Sequence, residues 1–488
     1  MWSDLPSSAE LTRLGARLES MLAPPNVDAR PKSIPLRGSA RPEAVAELLR
    51  QEKGFSWLDG GTRNSNEGHR LAANPLVTLS ARKGRANILA SNGKRMRFAA
   101  NAFDLLSAVF SRWGGAGGTL MGYLGYELGG EIERLPLAPP DDLAVPDLHL
   151  GLYPEVLVWN SEGWALETTD AWQDNSSATP GPLLSLGMPH DGTRALAAET
   201  LLQRAEEIDR PLSAPLPTQT IKATSHPDRR HFERSVAQAV ARIASGEIFQ
   251  VNLCRRLEAP LLRREVWPLY QRLRAASPAA RGAFFDLGRG RAVLSISPEI
   301  FLTVRDHVVE TRPIKGTRPR GRDPQADREL LSELLTSEKD RAELAMIVDV
   351  ARNDLGRVAE IGSITVPSLA DAMTLPTVHH TAAVVRGRLR KGLGTTDLLR
   401  ATFPPASITG APKIQAMTVI AETEERRRGP AMGAFGWLSL GDGLRADLDL
   451  AVAIRTAVAA RGRVAYTAGC GITADSEPVL EREESAAK

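Results

Sequence analysis

Cysteine is nearly missing: Cys254 and Cys470 are the only two in 488 residues. So small a supply excludes a disulfide framework and suits a reducing compartment. No Cys/His spacing resembles a zinc site. Long apolar runs are missing too, none reaching the ~18 residues that a membrane helix requires. The opening residues, Met1-Trp2-Ser3-Asp4-Leu5-Pro6, lack the basic stretch and apolar run of a secretory leader. A cytoplasmic protein without a membrane partner is expected. Neither sign of charge dominates, since Lys+Arg 61 against Asp+Glu 58 leaves +3. No basic block is interleaved with aromatics, so nucleic acid is not an expected partner. What remains, 42% hydrophobic and 24% charged residues, is the composition of a globular chain able to bury a large core.

Periodicity supplies the outline. Helices are expected over 8–21, 101–113 and 193–208, the second with apolar Phe103, Leu106, Val109 and Phe110 at helical spacing. Short β-branched or apolar runs bounded by turn residues predict strands at 33–36, 55–59, 76–80, 86–89, around 151–159, and at 164–168. Gly114-Gly115-Ala116-Gly117-Gly118 neither follows a strand nor opens a helix with Lys-Ser/Thr, so it reads as a turn and not a phosphate loop. Two Ser/Pro-rich loops, 174–182 and 211–217, divide the chain into an N-terminal region 1–175, a connecting helix and linker 176–222, and a C-terminal domain 223–488. Beyond residue 228, helices and strands mix without a βα repeat, which predicts an α+β fold with mostly antiparallel sheets.

Chemistry concentrates in the C-terminal half. Lys315 lies in Thr311-Arg312-Pro313-Ile314-Lys315-Gly316-Thr317-Arg318-Pro319, a stiff segment fenced by prolines. An amine held there out of water is a candidate nucleophile, and a surface lysine in a Pro/Gly turn is the alternative. A single helix over 327–350 places Asp340 and Glu343 on one face, and the last segment does the same with Glu481 and Glu484. Two such pairs suit a hard divalent cation such as Mg²⁺, though solvated surface pairs have the same pattern. The 403–413 loop, with Ser407 and Thr409, leads into a helix and forms a natural anion site. A hairpin of 433–440 and 448–458, turned at Gly441-Asp442-Gly443, carries Arg455, and a further strand runs into Ala468-Gly469-Cys470-Gly471-Ile472. Arg455 beside glycine amides suggests carboxylate recognition, against the alternative of an edge-strand arginine.

Together these stretches resemble the chorismate-utilising enzymes. The matching segments are Gly246-Glu247-Ile248-Phe249-Gln250-Val251-Asn252-Leu253, Ser297-Pro298-Glu299, the Lys315 segment, 340–343 with 347–349 and 352–358, Val378-His379-His380, 407–413, Ile454-Arg455-Thr456 and 468–476. The resemblance implies an anthranilate synthase component I-like fold, two large mostly antiparallel sheets in a sandwich flanked by helices. It implies Mg²⁺ on Glu343 and Glu484, with Asp340 and Glu481 behind them. It further implies Arg455, Gly469 and Gly471 for a substrate carboxylate, with Gln250, Thr317, His380, Ser407, Thr409 and Lys488 completing the chorismate pocket. Lys315 would be the covalent nucleophile and Glu299 the general acid.

Within the family, Gln250 replaces the lysine that activates water in isochorismate and salicylate synthases. Lys315 stands where anthranilate synthases carry alanine and aminodeoxychorismate synthases carry lysine, which directs the expectation to amination at C4 and 4-aminobenzoate formation for folate. Anthranilate synthesis is the alternative, and a non-catalytic relative the third reading. Trp57-Leu58-Asp59-Gly60-Gly61 replaces the family's tryptophan-sensing Leu-Leu-Glu-Ser, so no tryptophan feedback is expected. Trp437 takes the place of a tyrosine common in relatives. Gly469-Cys470-Gly471 lacks the Gly-x-Cys-x-Gly spacing of a glutaminase, so ammonia would come from a separate glutamine amidotransferase subunit.

Overall fold

The structure, a computed structural model, describes residues 8–22, 25, 31–61, 68–172, 194–208, 223–441 and 446–487. Its strands form two antiparallel sheets of twelve. The centre of the first runs Ser56–Asp59, Arg281–Asp286, Ala292–Ser297, Thr456–Ala460, Arg463–Ile472 and Gln250–Pro260. The second begins Ile314–Pro319, Val378–Arg388, Val308–Arg312, Ile300–Arg305, Leu448–Val452, Ala434–Ser439 and Thr119–Leu124. Residues 1–175 and 223–488 contribute strands to both sheets. Trp57 pairs with Phe284 in the first, and Gly122 with Gly436 in the second.

The α+β expectation therefore holds, with the sheets face to face. Leu58, Phe285, Val293 and Val458 of the first sheet pack on Tyr123, Tyr153 and Phe435 of the second. Helices cover the outer faces. Val45, Leu201, Trp267 and Tyr270 seal the first, and Phe103, Val109, Leu344 and Leu398 the second. Each such side chain removed from water contributes about 1.5–3 kcal/mol. The helix Ala102–Trp113 begins where Asn101 accepts a hydrogen bond from the Phe103 amide, the local reason its register was readable.

Three apolar stretches change sheets where periodicity alone shows continuity. Pro154 separates Leu148–Tyr153 of the second sheet from Glu155–Asn160 of the first. Pro298 and Glu299 carry the chain from Ala292–Ser297 across to Ile300–Arg305. The expected strand 448–458 is likewise two strands, Leu448–Val452 and Thr456–Ala460, in different sheets, broken where Arg455 takes φ 49°. The helix expected over 327–350 is also two, Pro324–Thr336 and Glu338–Gly356. Ser337 leaves the helical conformation between them and caps the second through the Asp340 amide. Loops 174–182 and 211–217, the Asp442-Gly443 part of the turn and Lys488 lie outside the described residues.

Candidate active site

The sheet-to-sheet crossings build the site. Glu299 and Arg455 sit on adjacent crossings, which hydrogen bonds tie together: the Val452 amide donates to the Glu299 carbonyl at 3.0 Å, and the Ile296 amide to the Arg455 carbonyl at 3.2 Å. The Glu299 side chain is buried, 4% exposed, and meets the Ile314 amide at 3.4 Å. Burial pushes its pKa up to about 7, with the Ser407 hydroxyl and the Lys315 charge pulling the other way. Ser407 approaches this carboxyl, yet its Oγ completes no hydrogen bond of good geometry and stays buried and unsatisfied. A buried carboxyl that holds its proton near neutrality is suited to general acid work.

Lys315 lies on Ile314–Pro319, opposite Thr381 of Val378–Arg388. The Thr381 hydroxyl donates to the Lys315 carbonyl at 2.6 Å. Register then slips at Gly316, whose φ of 63° makes a bulge. His380 Nδ1 lies 3.0 Å from the Gly316 carbonyl and 3.1 Å from Thr317 Oγ1. Because a carbonyl only accepts, Nδ1 carries the proton. Nε2 then turns its lone pair to the Arg455 guanidinium at 3.4 Å. The bulge aims the half-buried Lys315 at the first sheet: a Cβ placed on Gly471 would sit 3.3 Å from Lys315 Nζ and against Gln250 Nε2. Only glycine at 471 leaves both in place. Gln250 is 1% exposed, and its Oε1 has no hydrogen-bond partner.

Arg455 forms no ion pair with any described residue. Burial lowers its pKa, and the only opposing influence is Tyr466. A largely buried guanidinium without a carboxylate is poised for an anionic ligand. The glycine strand runs alongside: Arg463–Ile472 pairs with Gln250–Pro260 throughout, while Thr456–Ala460 follows it only as far as Tyr466.

Carboxylates supply the opposite wall. Burial raises the Glu343 pKa, opposed by Lys315 and Lys339 and reinforced by Asp340 and Glu484, so these groups feel one another across two helices. Asp340 is held by Arg318 at 3.1 Å. Glu481 is buried and accepts from Ser476 at 2.6 Å, while its Oε2 has no partner. Glu484 is exposed on the helix Pro478–Ala487. Among the described residues no group of three or more metal-binding side chains stands around one point. The donors present are all carboxylate oxygens, and the orphaned Glu481 oxygen and mutually repelling Glu343 and Glu484 fit an oxygen-preferring cation held by few protein ligands.

The fold thus gathers Lys315, Glu299, Gln250, His380, Arg455, Gly471, Ser407 and the carboxylates. Thr317 is exposed beside His380, and Gly469 sits two residues along the glycine strand, against Cys254. The Thr409 hydroxyl is spent on the carbonyls of Pro405 and Ala406, at 3.2 and 3.0 Å, and braces its loop. Sequence reasoning missed Thr381, Arg318 and the buried Asp354–Lys413 pair. Lys413 Nζ donates to Asp354 at 2.5 Å and to the carbonyls of Thr402 and Pro404 at 2.8 and 2.7 Å. The alternation that places Thr381 opposite Lys315 was readable, but the register was not. Trp437 lies between the guanidinium groups of Arg70 and Arg305, 4.1 and 4.8 Å from the ring centroid, and plays no part among the site residues above.

Comparison with known proteins matches residues 54–488 to the chorismate binding enzymes. The chain is 40% identical over 368 residues to aminodeoxychorismate synthase component 1 of Salmonella typhimurium, covering 75% of this chain and 74% of the relative. It is 37% identical over 370 residues to anthranilate synthase component 1 of Streptomyces coelicolor, covering 75% and 70%. Among solved structures, anthranilate synthase component I from Streptococcus pneumoniae superimposes with a TM-score of 0.70 at 29% identity, over 86% of this chain and 91% of the other.

Proposed function

From the premise that the chain belongs to the chorismate binding enzymes, we propose that it is an aminodeoxychorismate synthase component 1, making 4-amino-4-deoxychorismate from chorismate and ammonia. The observation that carries this reading is Lys315 Nζ reaching across from the second sheet to Gly471 and Gln250, within electrostatic reach of Glu299. The similarity to the Salmonella typhimurium protein supports it.

Arg455 binds one substrate carboxylate, its guanidinium oriented by the lone pair of His380 Nε2. Glu343 and Glu484, backed by Asp340 and Glu481, would hold Mg²⁺. A cation held there would supply positive charge against a ring carboxylate that the acidic helices would otherwise repel. Lys315 attacks C2 as a neutral amine, and Glu299 gives its proton to the departing C4 hydroxyl. Ammonia then bonds to C4 as the C2–N bond to Lys315 breaks, the electron pair returning to the lysine. The surplus ammonia proton restores Glu299. Two easier displacements replace one difficult one. Gln250 has no basic nitrogen with which to activate water, which favours amination over hydroxylation. Ammonia is supplied from glutamine by a separate amidotransferase subunit, and the product feeds 4-aminobenzoate and folate formation.

The test is incubation with chorismate, Mg²⁺ and ammonium, with product identification by mass. 4-Amino-4-deoxychorismate is expected. Anthranilate released without an added lyase would establish the second reading, which similarity to the Streptomyces coelicolor protein keeps in view. Absence of any product would point to a non-catalytic relative.

A further inference from the structure

Nothing in the reading above uses Glu424-Glu425-Arg426-Arg427-Arg428, the charged run that follows the helix Lys413–Thr423. The run meets the edge of the first sheet where the short strand Thr224–His226 ends, His226 making its last pair with Arg256 of Gln250–Pro260. Between them lies a cavity of about 10 Å³, room for one atom-sized guest. No residue assigned above to substrate, metal or proton transfer lines it.

Arg255, Arg256, Arg426 and Arg427 all do. In each of the four, Nε is buried and finds no hydrogen-bond partner among the described residues. Arg256 and Arg427 are only 3% and 9% exposed, so bulk water does not make up the missing bonds. A guanidinium can only donate, and buried donors without acceptors are costly. A single water offers two lone pairs to these four donors, whereas a halide accepts from every side. Charge points the same way. Arg256 faces Asp142 and Glu258, and Arg427 faces Asp141 and Asp147. Of the two carboxylates in the wall, Glu424 is committed to Arg428 and the Cys254 amide, and Glu425 to His231. Arg255 and Arg426 form no ion pair with any described residue. Burial and the neighbouring Arg482 lower the pKa of Arg255, the mark of a cation short of a counter-charge.

We propose that this cavity binds one small inorganic anion of chloride size, which satisfies the orphaned guanidinium donors and braces the 424–428 turn. The same turn carries Arg428, whose guanidinium donates to the carbonyls of Ile408 and Asn252 at 2.8 and 2.6 Å, next to Ser407 and two residues from Gln250. An anion here therefore steadies a support of the substrate pocket from outside it. The proposal is independent of the amination reading, and its test needs no turnover.

The probe is sodium chloride, compared with sodium gluconate, whose anion is too large for the space, at equal ionic strength. Chloride should raise the melting temperature of the full chain saturably, by at least about 2 °C. Arg426→Gln removes one unpartnered charge, and Thr467→Ile narrows the space from the strand position opposite Arg256. Each variant should lose most of the chloride response. Crystals grown in sodium bromide should show an anomalous bromide peak among Arg256, Arg426 and Arg427. Equal melting of the parent in both salts, an undiminished chloride response in both folded variants, or bromide crystals without a peak in this cavity would each identify a water-filled space and overturn the proposal. If neither variant folds, the parent's salt-specific melting and the bromide position decide. A chain that aminates no chorismate yet holds bromide here would sink the proposed function and leave the anion site standing.

Discussion

Gly316 rests directly on Asp340: a Cβ built on the glycine would lie 3.1 Å from the carboxyl carbon and 2.7 Å from Leu334 Cδ1. The bulge that aims Lys315 and the helix that carries the acidic wall are thus in contact through an absent side chain. Gly316→Ala meets both a positive φ and this crowding. It should cost about 1–3 kcal/mol in thermal or urea unfolding and weaken Mg²⁺ binding by calorimetry. Parent-like stability together with parent-like Mg²⁺ affinity would show that the contact has no such role.

Lys315→Ala should remove at least about 100-fold of the turnover, given its place as the nucleophile. Rapid-quench mass spectrometry should find the chorismate-derived lysyl adduct in the parent and none in the variant. An undiminished adduct would assign the covalent step to another residue.

Glu299 should set the alkaline limb of activity. With its pKa pushed up to about 7 by burial, the proton it donates is present below that pH and lost as pH rises through it. The pH–rate profile should fall above about 7, and Glu299→Gln should flatten it at much lower activity. The stability sign follows as well: the folded carboxyl binds its proton more tightly than the unfolded one, so its burial is best tolerated at low pH and costs stability as pH climbs from about 4.5 to 7. Glu299→Gln should therefore melt higher than the parent at pH 8, an advantage that shrinks in acid.

Arg455 should separate stability from binding. Its partly buried guanidinium has no carboxylate among the described residues to balance it, so Arg455→Met should leave the melting temperature unchanged or raise it. Chorismate binding should nonetheless weaken by about 2–3 kcal/mol, as expected for a lost charge-assisted hydrogen-bonded contact. A large loss of stability with unchanged affinity would make Arg455 structural.

Tryptophan should not inhibit. Asp59 is filled by the protein's own groups: Gly61 donates to it at 2.9 Å, Tyr270 at 3.1 Å, and Arg274 closes over it. Trp57 meanwhile packs against His69 and Tyr270. The Asp59 carboxylate is thus already engaged by described residues and is not offered to an amino-acid effector. Initial rates across a tryptophan titration should be flat, and inhibition at low concentration would contradict this.

Local chemistry was well legible in the chain itself. The helices Ser8–Met21 and Ala102–Trp113 and the strand Ser56–Asp59 fall within a residue of the ranges their spacing predicts, because amphipathic period, a capping asparagine and flanking turns act over a few residues. Boundaries fixed by distant partners were less visible. Continuous apolar character at 448–458 conceals a change of sheet, and the helical pattern at 327–350 conceals the break at Ser337.

By itself, then, the sequence determined which residue types are available: a proline-fenced lysine, paired carboxylates at helical spacing, glycines at 469 and 471, and Arg455 within an apolar run. Only tertiary structure decided that Lys315 of one sheet reaches Gly471 and Gln250 of the other, and that Glu299 and Arg455 share adjacent crossings. It also committed the Thr409 hydroxyl to its own loop. These are pairings between residues as far apart as 315 and 471, set by sheet register and by the burial that turns ordinary carboxyl and guanidinium groups into reactive or ligand-seeking ones. Neither register nor burial is a property of any short stretch of chain.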